Sequence, residues 1–381
     1  MIKQLSISLT FMLSAQLLFA QKELPVIRAT GKSVNIRDGN NFKKNGWTIA
    51  PEIKPDIYFT KPIPGKTKKV TFYTDIDSIS FDVKTNSHFL FNIVLNNKDT
   101  ALTGIMPSYD TLGILKRAGK YNYSEKRDLP AFTYQSADNP NLQALKKAFN
   151  LDSIAGGGNE ASKILNLLHW IHNLVPHDGN HGNPASMNAM DMIAVCKKDQ
   201  RGLNCRGLAM TLNECYLSLG IKSRYVTCMP KDSLGVDNDC HVINMVYLTQ
   251  QKKWIWIDPT NDAYVMNEKG ELLGIEEVRA RIVNNKPLIL NPEANWNHKV
   301  SYTKGYYLYS YMAKNLYLLE TPLNSQFDLE TRQAGKTINS VQLIPLDSKK
   351  SLDKSVSTNN TTKVTWVTYK TNNPDYFWQV P

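Results

Sequence analysis

The sequence is poor in cysteine, in long apolar runs and in clustered charge. Five cysteines in 381 residues are too few for a disulfide-built scaffold, and their odd number leaves at least one sulfur outside any intramolecular pairing. After the first twenty residues no apolar run is long enough to cross a membrane, so no stable membrane span is predicted. The net charge of +11 is spread along the chain without a nucleic-acid-binding module, so nucleic acid is not an expected partner.

The first twenty residues have the pattern of a secretion signal. Lys3 gives a positive start, residues 5–19 are largely apolar, and Ala20 supplies a small residue at the end. We therefore predict a signal peptide over residues 1–20, cleaved near Ala20, and a secreted or periplasmic (cell-envelope) protein. An uncleaved anchor is disfavoured because no charged stop-transfer pattern follows. In such an oxidising compartment cysteine pairs are permitted.

The region 21–140 is predicted to be a β-rich N-terminal domain. Residues 70–74, 78–83 and 88–95 are rich in β-branched and aromatic residues, and the second run alternates with period two. Prolines between positions 51 and 64 indicate loops or an edge strand before them. These features predict a β-sandwich or a partial barrel with no recognisable chemistry.

The spacing of apolar residues changes after residue 140, and residues 141–300 are predicted to form helices followed by strands. Asn159 is a good N-cap for an amphipathic helix that ends at Pro176. The remaining elements are predicted as helices over 186–195 and 205–219, and strands over 221–228, 240–248 and 253–258. This order predicts an α+β fold for the domain.

The last predicted region, residues 301–381, is rich in tyrosine and then in β structure. Six tyrosines lie between positions 302 and 317. They fit either a sugar- or peptide-binding surface or the packing of a core, and both interpretations stay open. Strands are predicted over 340–345 and 363–370.

Three residues at the ends of these elements form a candidate site. Cys205 opens a predicted helix, whose N-terminal N–H groups favour a thiolate. His241 begins the second strand after that helix and Asp258 ends the third. Adjacent antiparallel strands would bring these two side chains together. An imidazole between a thiolate and a carboxylate is the general form of a cysteine acyl-transfer triad.

The segments around these residues resemble the transglutaminase-like superfamily of papain-like folds, of a secreted bacterial type. The resemblance is carried by residues 202–209 (GLNCRGLA), 219–226 (LGIKSRYV), 241–248 (HVINMVYL) and 254–260 (WIWIDPT). The upstream helix with Trp170 and the segment 176–178 match the family's lead-in. Together these segments cover roughly residues 160–265, under a third of the chain.

The resemblance implies roles for individual residues. Cys205 would be the nucleophile, His241 the base and Asp258 the orienting carboxylate, with the backbone N–H of Cys205 holding part of the oxyanion. Asn204, Asn244, His177 and Trp170 are the expected cleft or substrate residues. Two departures affect substrate class, since Gly202 stands three rather than two residues before the cysteine and Val242-Ile243 replace the usual Ala-Trp.

The other cysteines and the histidines leave further alternatives. Cys228 and Cys240 could pair across neighbouring strands, or stay free, which we favour. His169 and His172 are three apart on one helix, as a zinc pair could be, but no carboxylate or cysteine ligands stand at the usual spacing. We therefore predict no metal site and no cofactor. The loop 229–239 is expected to border the cleft.

Together these features predict a cysteine hydrolase or acyltransferase acting on amide or peptide bonds through a thioester. Hydrolysis, as by a peptidase or amidase, is favoured over crosslinking because water is the default acceptor and no amine site is visible. The expected substrate is a peptide or protein, which could be glycan-linked. The alternative is an inactive transglutaminase-like envelope protein that binds glycan or peptide. The sequence does not reveal the substrate, the acyl acceptor or the oligomeric state.

Overall fold

The computed structural model describes residues 24–53, 55–61, 66–84, 87, 89–107, 110–231 and 239–381. Its contacts divide the chain into two compact units, one ending at Tyr109 and the other running from Asp110 to Pro381. The expected signal peptide and most of the loop 229–239 lie outside the described residues. Within the described ranges no helix is long and apolar enough to span a membrane.

The first unit is a sandwich of two four-stranded sheets, in the orders β1-β7-β8-β4 and β3-β2-β5-β6. Its strands are β1 Val26–Ala29, β2 Ser33–Asp38, β3 Asn41–Thr48, β4 Asp56–Thr60, β5 Lys68–Tyr73, β6 Ser78–Val83, β7 Phe89–Leu95 and β8 Asp99–Pro107. Alternate residues point inward and form one core, in which Phe72 meets Phe91 of the opposite sheet with ring centroids 5.2 Å apart. The predicted sandwich-like N-terminal domain is confirmed.

The second unit has helices on a long, mostly antiparallel sheet. Its helices are α1 Thr111–Lys116, α2 Pro140–Phe149, α3 Leu151–Ala155, α4 Glu160–Leu174, α5 Ala189–Asp199, α6 Cys205–Ser218, α7 Ile275–Val283, α8 Lys304–Tyr306, the π-helix Tyr307–Met312, α9 Ala313–Asn315 and α10 Pro374–Phe377. Its strands are β9 Thr133–Tyr134, β10 Ser223–Met229, β11 His241–Leu248, β12 Lys253–Asp258, β13 Ala263–Met266, β14 Ile289–Leu290, β15 Asn295–Trp296, β16 Val300–Ser301, β17 Leu318–Pro322, β18 Asn324–Ser325, β19 Thr337–Leu343, β20 Ser355–Thr358 and β21 Thr365–Thr371.

The central sheet has the order β14-β13-β12-β11-β10-β17-β19-β21-β20 and separates two cores. Helices α4, α5 and α6 cover one face, where Val242 and Val246 of β11 point toward them. On the other face Ile243 and Met245 of the same strand join the core beneath α7 and the π-helix. Because both faces are covered, the strands are apolar on both sides rather than alternating.

The predicted order of helices and strands is confirmed, including the N-cap at Asn159 and the three strands after α6. The α+β class is confirmed as well. Contacts group residues 110–140 with the second unit, and β17 pairs with β10, so the C-terminal region continues the central sheet. The division into domains at residues 140 and 300 stays a prediction.

Candidate active site

Cys205 is the first residue of helix α6, and an asparagine holds it there. The side-chain oxygen of Asn204 accepts a hydrogen bond from the backbone N–H of Gly207 at 3.1 Å, which makes Asn204 the N-cap. Asn183 donates to the same oxygen at 2.8 Å. A Cβ at position 207 would lie 2.6 Å from Asn183, so this packing requires glycine. The cap therefore explains why Asn204 precedes the cysteine.

The surroundings of Cys205 favour its thiolate. Burial alone would raise the pKa of the thiol. Hydrogen bonds with His177 and His241, together with the charge of His241, outweigh burial and bring the pKa of Cys205 to about 6. At neutral pH the thiolate form of Cys205 therefore dominates, in contrast to Cys215 and Cys228, whose thiol pKa values burial raises.

His241 and Asp258 lie side by side at the end of neighbouring strands. Strands β11 and β12 pair antiparallel, with Asn244 opposite Ile257, which sets both side chains at one edge of the sheet. Nε2 of His241 lies 2.7 Å from Oδ2 of Asp258, and both side chains are buried. Since Asp258 occupies Nε2, the other ring nitrogen of His241 is the one left for Cys205.

Electrostatics stabilise the imidazolium form of His241. Burial would lower the pKa of His241, but the charge and the hydrogen bond of Asp258, together with the contact to Cys205, raise it well above its usual range. The pKa of Cys205 therefore lies below that of His241, the reverse of the ordinary order, which is the condition for a thiolate–imidazolium pair.

The carboxylate of Asp258 is held by donors on both oxygens. Oδ2 accepts from His241, from the Tyr307 hydroxyl at 2.6 Å and from Nδ2 of Asn261 at 2.8 Å. Oδ1 accepts from the backbone N–H groups of Thr260 at 3.0 Å and of Asn261 at 3.3 Å. Burial opposes ionisation, yet the charge of His241 and these hydrogen bonds keep the pKa of Asp258 below its ordinary value. The carboxylate is therefore ionised and fixed in orientation.

The π-helix contributes two tyrosines to this network. Tyr307 donates to Asp258 and accepts from the indole N–H of Trp256 at 3.1 Å. Tyr311 packs against the imidazole of His241, with ring centroids 5.2 Å apart in an edge-on arrangement. Both residues lie in the tyrosine-rich segment, but the sequence assigned neither a partner, because the irregular helix hides their spacing.

A cleft of about 440 Å³ opens beside Cys205 and His241. One wall consists of Trp296, Tyr302, Tyr306 and Tyr311, with the rings of Tyr306 and Tyr311 stacked at 6.4 Å. Two of the tyrosines predicted as either surface or core are thus in different settings, since Tyr307 is fully buried and Tyr306 is 50% exposed. The core interpretation applies to Tyr307, whereas a binding surface at Tyr306 stays a prediction.

His177 also lines the cleft, and a small hairpin holds it in place. The backbone of His177 exchanges two hydrogen bonds with the side chain of Asn297, at 2.7 and 2.8 Å. The indole N–H of Trp296 donates to Nδ1 of His177 at 3.1 Å. Both partners lie in or next to the β15–β16 hairpin, and no local pattern in the sequence indicates this contact.

The other expected cleft residues have different positions. Asn204 lines the cleft as well as capping α6. Asn244 is buried and donates from Nδ2 to the carbonyl of Ala209 at 2.9 Å, which ties β11 to α6. Trp170 is not among the cleft-lining residues but packs against Phe149, at 5.6 Å between ring centroids. Trp170 is partly buried against the core under the helices, so its expected role at the cleft stays a prediction.

The remaining cysteines form no disulfide, and His169 and His172 have separate partners. All five cysteines are free, so the Cys228–Cys240 pairing that the sequence left open is not formed. His169 pairs with Asp262 at 2.6 Å, whereas His172 lies 3.1 Å from the carbonyl oxygen of Pro259. Among the described residues no cluster of three or more His, Cys, Asp or Glu side chains is arranged to hold a metal ion.

One family model matches the central part of the chain. The family model of the transglutaminase-like superfamily matches residues 147–259, a range that includes Cys205, His241 and Asp258. No curated protein matches the chain.

Three solved structures show partial similarity to the chain. A candidate cysteine protease from Cytophaga hutchinsonii is 25% identical, with a TM-score of 0.26, over 35% of this chain and 43% of that one. The chain thus spans less than half of that protein. LapG of Legionella pneumophila is 14% identical, with a TM-score of 0.25, over 48% of this chain and 97% of that one. EGTA-treated LapG is 13% identical, with a TM-score of 0.24, over 34% of this chain and 74% of that one. Residues 147–259 of this chain form a transglutaminase-like core, as the sequence resemblance predicts.

Proposed function

We propose that this chain is a secreted or periplasmic cysteine enzyme that cleaves amide or peptide bonds through Cys205, His241 and Asp258. The observation that carries the proposal is the continuous hydrogen-bonded path from the Cys205 sulfur through His241 to Asp258, with the pKa of the thiol lowered to about 6. The substrate would be a peptide or protein, including a glycan-linked peptide.

In the proposed reaction the Cys205 thiolate attacks the carbonyl carbon and forms a tetrahedral intermediate. The backbone N–H of Cys205, at the start of α6, stabilises the negative oxygen. His241 gives its proton to the leaving amine as the carbon–nitrogen bond breaks, and a thioester remains on Cys205. His241, now neutral, takes a proton from water, the hydroxide attacks the thioester, and the carboxylic acid product leaves with the thiolate restored.

Asp258 orients His241 throughout these steps and does not itself accept the proton. Its carboxylate keeps donors other than His241 on both oxygens, so it stays ionised while the imidazole changes charge. Water is the proposed acyl acceptor, and a primary amine in its place would give transfer or crosslinking instead.

The test uses the chain without residues 1–20 and its Cys205→Ala variant. We expect a burst of p-nitrophenol from p-nitrophenyl acetate, acetylation of Cys205 by mass spectrometry, and cleavage within a peptide library. The variant should lose all three. Cys196→Ala is the matched control, because Cys196 lies outside the cleft and burial raises the pKa of its thiol. Equal activity of the wild-type chain and Cys205→Ala would overturn the proposal.

Two further measurements test the acyl acceptor and the secretion of the protein. Reaction in ¹⁸O-labelled water with added methylamine separates hydrolysis, which labels the product acid, from transfer, which yields the methylamide. Sequencing the exported protein tests secretion, since cleavage near Ala20 predicts a mature chain beginning at Gln21.

The aromatic wall of the cleft supports a second candidate, an inactive protein that binds glycan or peptide. Aromatic rings that line a groove suit sugar faces and apolar side chains. Iodoacetamide distinguishes the two candidates: the enzyme predicts fast, selective alkylation of Cys205 that is lost on denaturation. The binding protein predicts slow alkylation like that of a buried thiol.

A further inference from the structure

His177 approaches Cys205 through a short parallel bridge between two loop segments. The backbone of His177 is paired with Leu203, two residues before the cysteine. The N–H of Asp178 donates to the carbonyl of Leu203 at 2.7 Å, and the N–H of Leu203 donates to that of Pro176 at 3.1 Å. Together with the two hydrogen bonds from the side chain of Asn297, these bonds fix the backbone of His177 from both sides. Its imidazole makes a hydrogen bond with the Cys205 sulfur.

The contact with Trp296 determines which nitrogen of His177 carries the proton. An indole N–H only donates, so Nδ1 of His177 must accept the hydrogen bond from Trp296 at 3.1 Å. In a neutral imidazole the proton then lies on Nε2. The hydrogen bond to Cys205 is therefore donated by Nε2 of His177. The two histidines at the sulfur thus differ, since His241 has a carboxylate partner and His177 an indole.

We propose that His177 is a catalytic residue that donates a hydrogen bond to the oxyanion; this rests on the function proposed above. In the resting protein its Nε2–H donates to the thiolate. When the sulfur–carbon bond forms, the negative charge moves from the sulfur to the former carbonyl oxygen. The same N–H then donates to that oxygen, alongside the backbone N–H of Cys205. No proton leaves His177, because Nδ1 is held as an acceptor and Nε2 already carries its proton.

This assignment separates the roles of the two histidines. His241 moves a proton between sulfur, leaving group and water. His177 contributes a fixed dipole, and such preorganised donors typically contribute about 10²–10³-fold to the rate. Trp170, one of the expected cleft residues, cannot supply this donor, because it packs against Phe149 and does not line the cleft. In this chain the donor comes instead from the loop that follows α4.

The test compares His177→Phe, which removes the donor, with His177→Gln, whose amide N–H can replace it. For His177→Phe we expect acylation by p-nitrophenyl acetate to slow about 100-fold with little change in KM. The pH midpoint of Cys205 alkylation by iodoacetamide should rise by about one unit, because the thiolate loses a donor. His177→Gln should recover at least about tenfold of the lost rate. His181→Phe, at a histidine whose side chain is 61% exposed, is the matched control and should behave as wild type.

Unchanged acylation and an unchanged alkylation midpoint in folded His177→Phe would overturn the proposal. If that variant does not fold, as judged by circular dichroism, His177→Gln is compared with the wild-type chain, and acylation more than about tenfold slower in folded His177→Gln would overturn the proposal. His177→Gln no faster than His177→Phe would also overturn it. Absence of acylation in the wild-type chain would overturn the proposed function and the oxyanion role together. The alkylation midpoint then still reports whether His177 contacts the sulfur.

Discussion

Gly202 permits the close approach of the two segments that carry His177 and Cys205, and its replacement by alanine tests this arrangement. An added Cβ would overlap the carbonyl oxygen of Pro176 and lie 2.9 Å from Cβ of Asp178. The overlap is with backbone, so no side chain can rotate away to relieve it. The two segments must separate, and the bonds of 2.7 and 3.1 Å between them must lengthen or break.

The expected cost follows from these contacts. Two lost backbone hydrogen bonds cost about 1 kcal/mol each, and overpacking adds about 1–2 kcal/mol, giving about 3–4 kcal/mol. For a unit of this size that lowers Tm by roughly 6–15 °C. A displacement of about 1 Å at His177 should also slow acylation of Cys205 about 100-fold.

The assays are thermal unfolding by circular dichroism and the burst with p-nitrophenyl acetate. Gly157→Ala is the matched control, because a Cβ there meets nothing within 4 Å. A Gly202→Ala protein with the Tm and the burst rate of Gly157→Ala would refute the reasoning, since the bridge would then tolerate a side chain.

Three other changes probe the remaining parts of the site. The rate of Cys205 alkylation should rise as pH increases through about 6, because the lowered pKa makes the thiolate dominant above that value; a midpoint near 8.5 would contradict this. Tyr307→Phe should lower the free energy of unfolding in urea by about 1.5–3 kcal/mol while costing less activity than His241→Ala, because other donors still hold Asp258; equal losses of activity would contradict it. Asn244→Ala should lower the free energy of unfolding by about 1 kcal/mol and reduce the burst rate, because it removes the hydrogen bond that joins β11 to α6; an unchanged burst rate would count against that link.

The three residues of the proposed triad could be predicted from the sequence because each stands at the end of a strongly patterned element. Cys205 begins a buried helix, His241 begins a strand, and Asp258 ends the next strand after a tight turn. Antiparallel pairing then determines their neighbourhood. Asn204, predicted only as a cleft residue, is also the N-cap of α6, and an asparagine before a helix is a standard N-cap signal in a sequence.

The residues that support the site could not be predicted in the same way. Tyr307, in an irregular helix, contacts Asp258 at a distance of 49 positions in the sequence. Asn297, which has a φ of 51°, contacts His177 at a distance of 120 positions. Periodicity describes contacts within an element or between paired strands. It carries no information on which loop residue meets which side chain once the sheet and helices have packed.

The two kinds of residue also differ in what they contribute. Proton transfer requires particular chemical groups, so the residues that carry it out are few and can be recognised from sequence motifs. Orientation requires only a donor or acceptor in the right place, and any loop that passes nearby can supply one. In this chain the loop after α4 and the β15–β16 hairpin do so for the sulfur, and the π-helix does so for the carboxylate. The departures at Val242-Ile243 are therefore compatible with the reaction, because positioning groups can come from elsewhere, and the aromatic wall is where substrate preference should be sought.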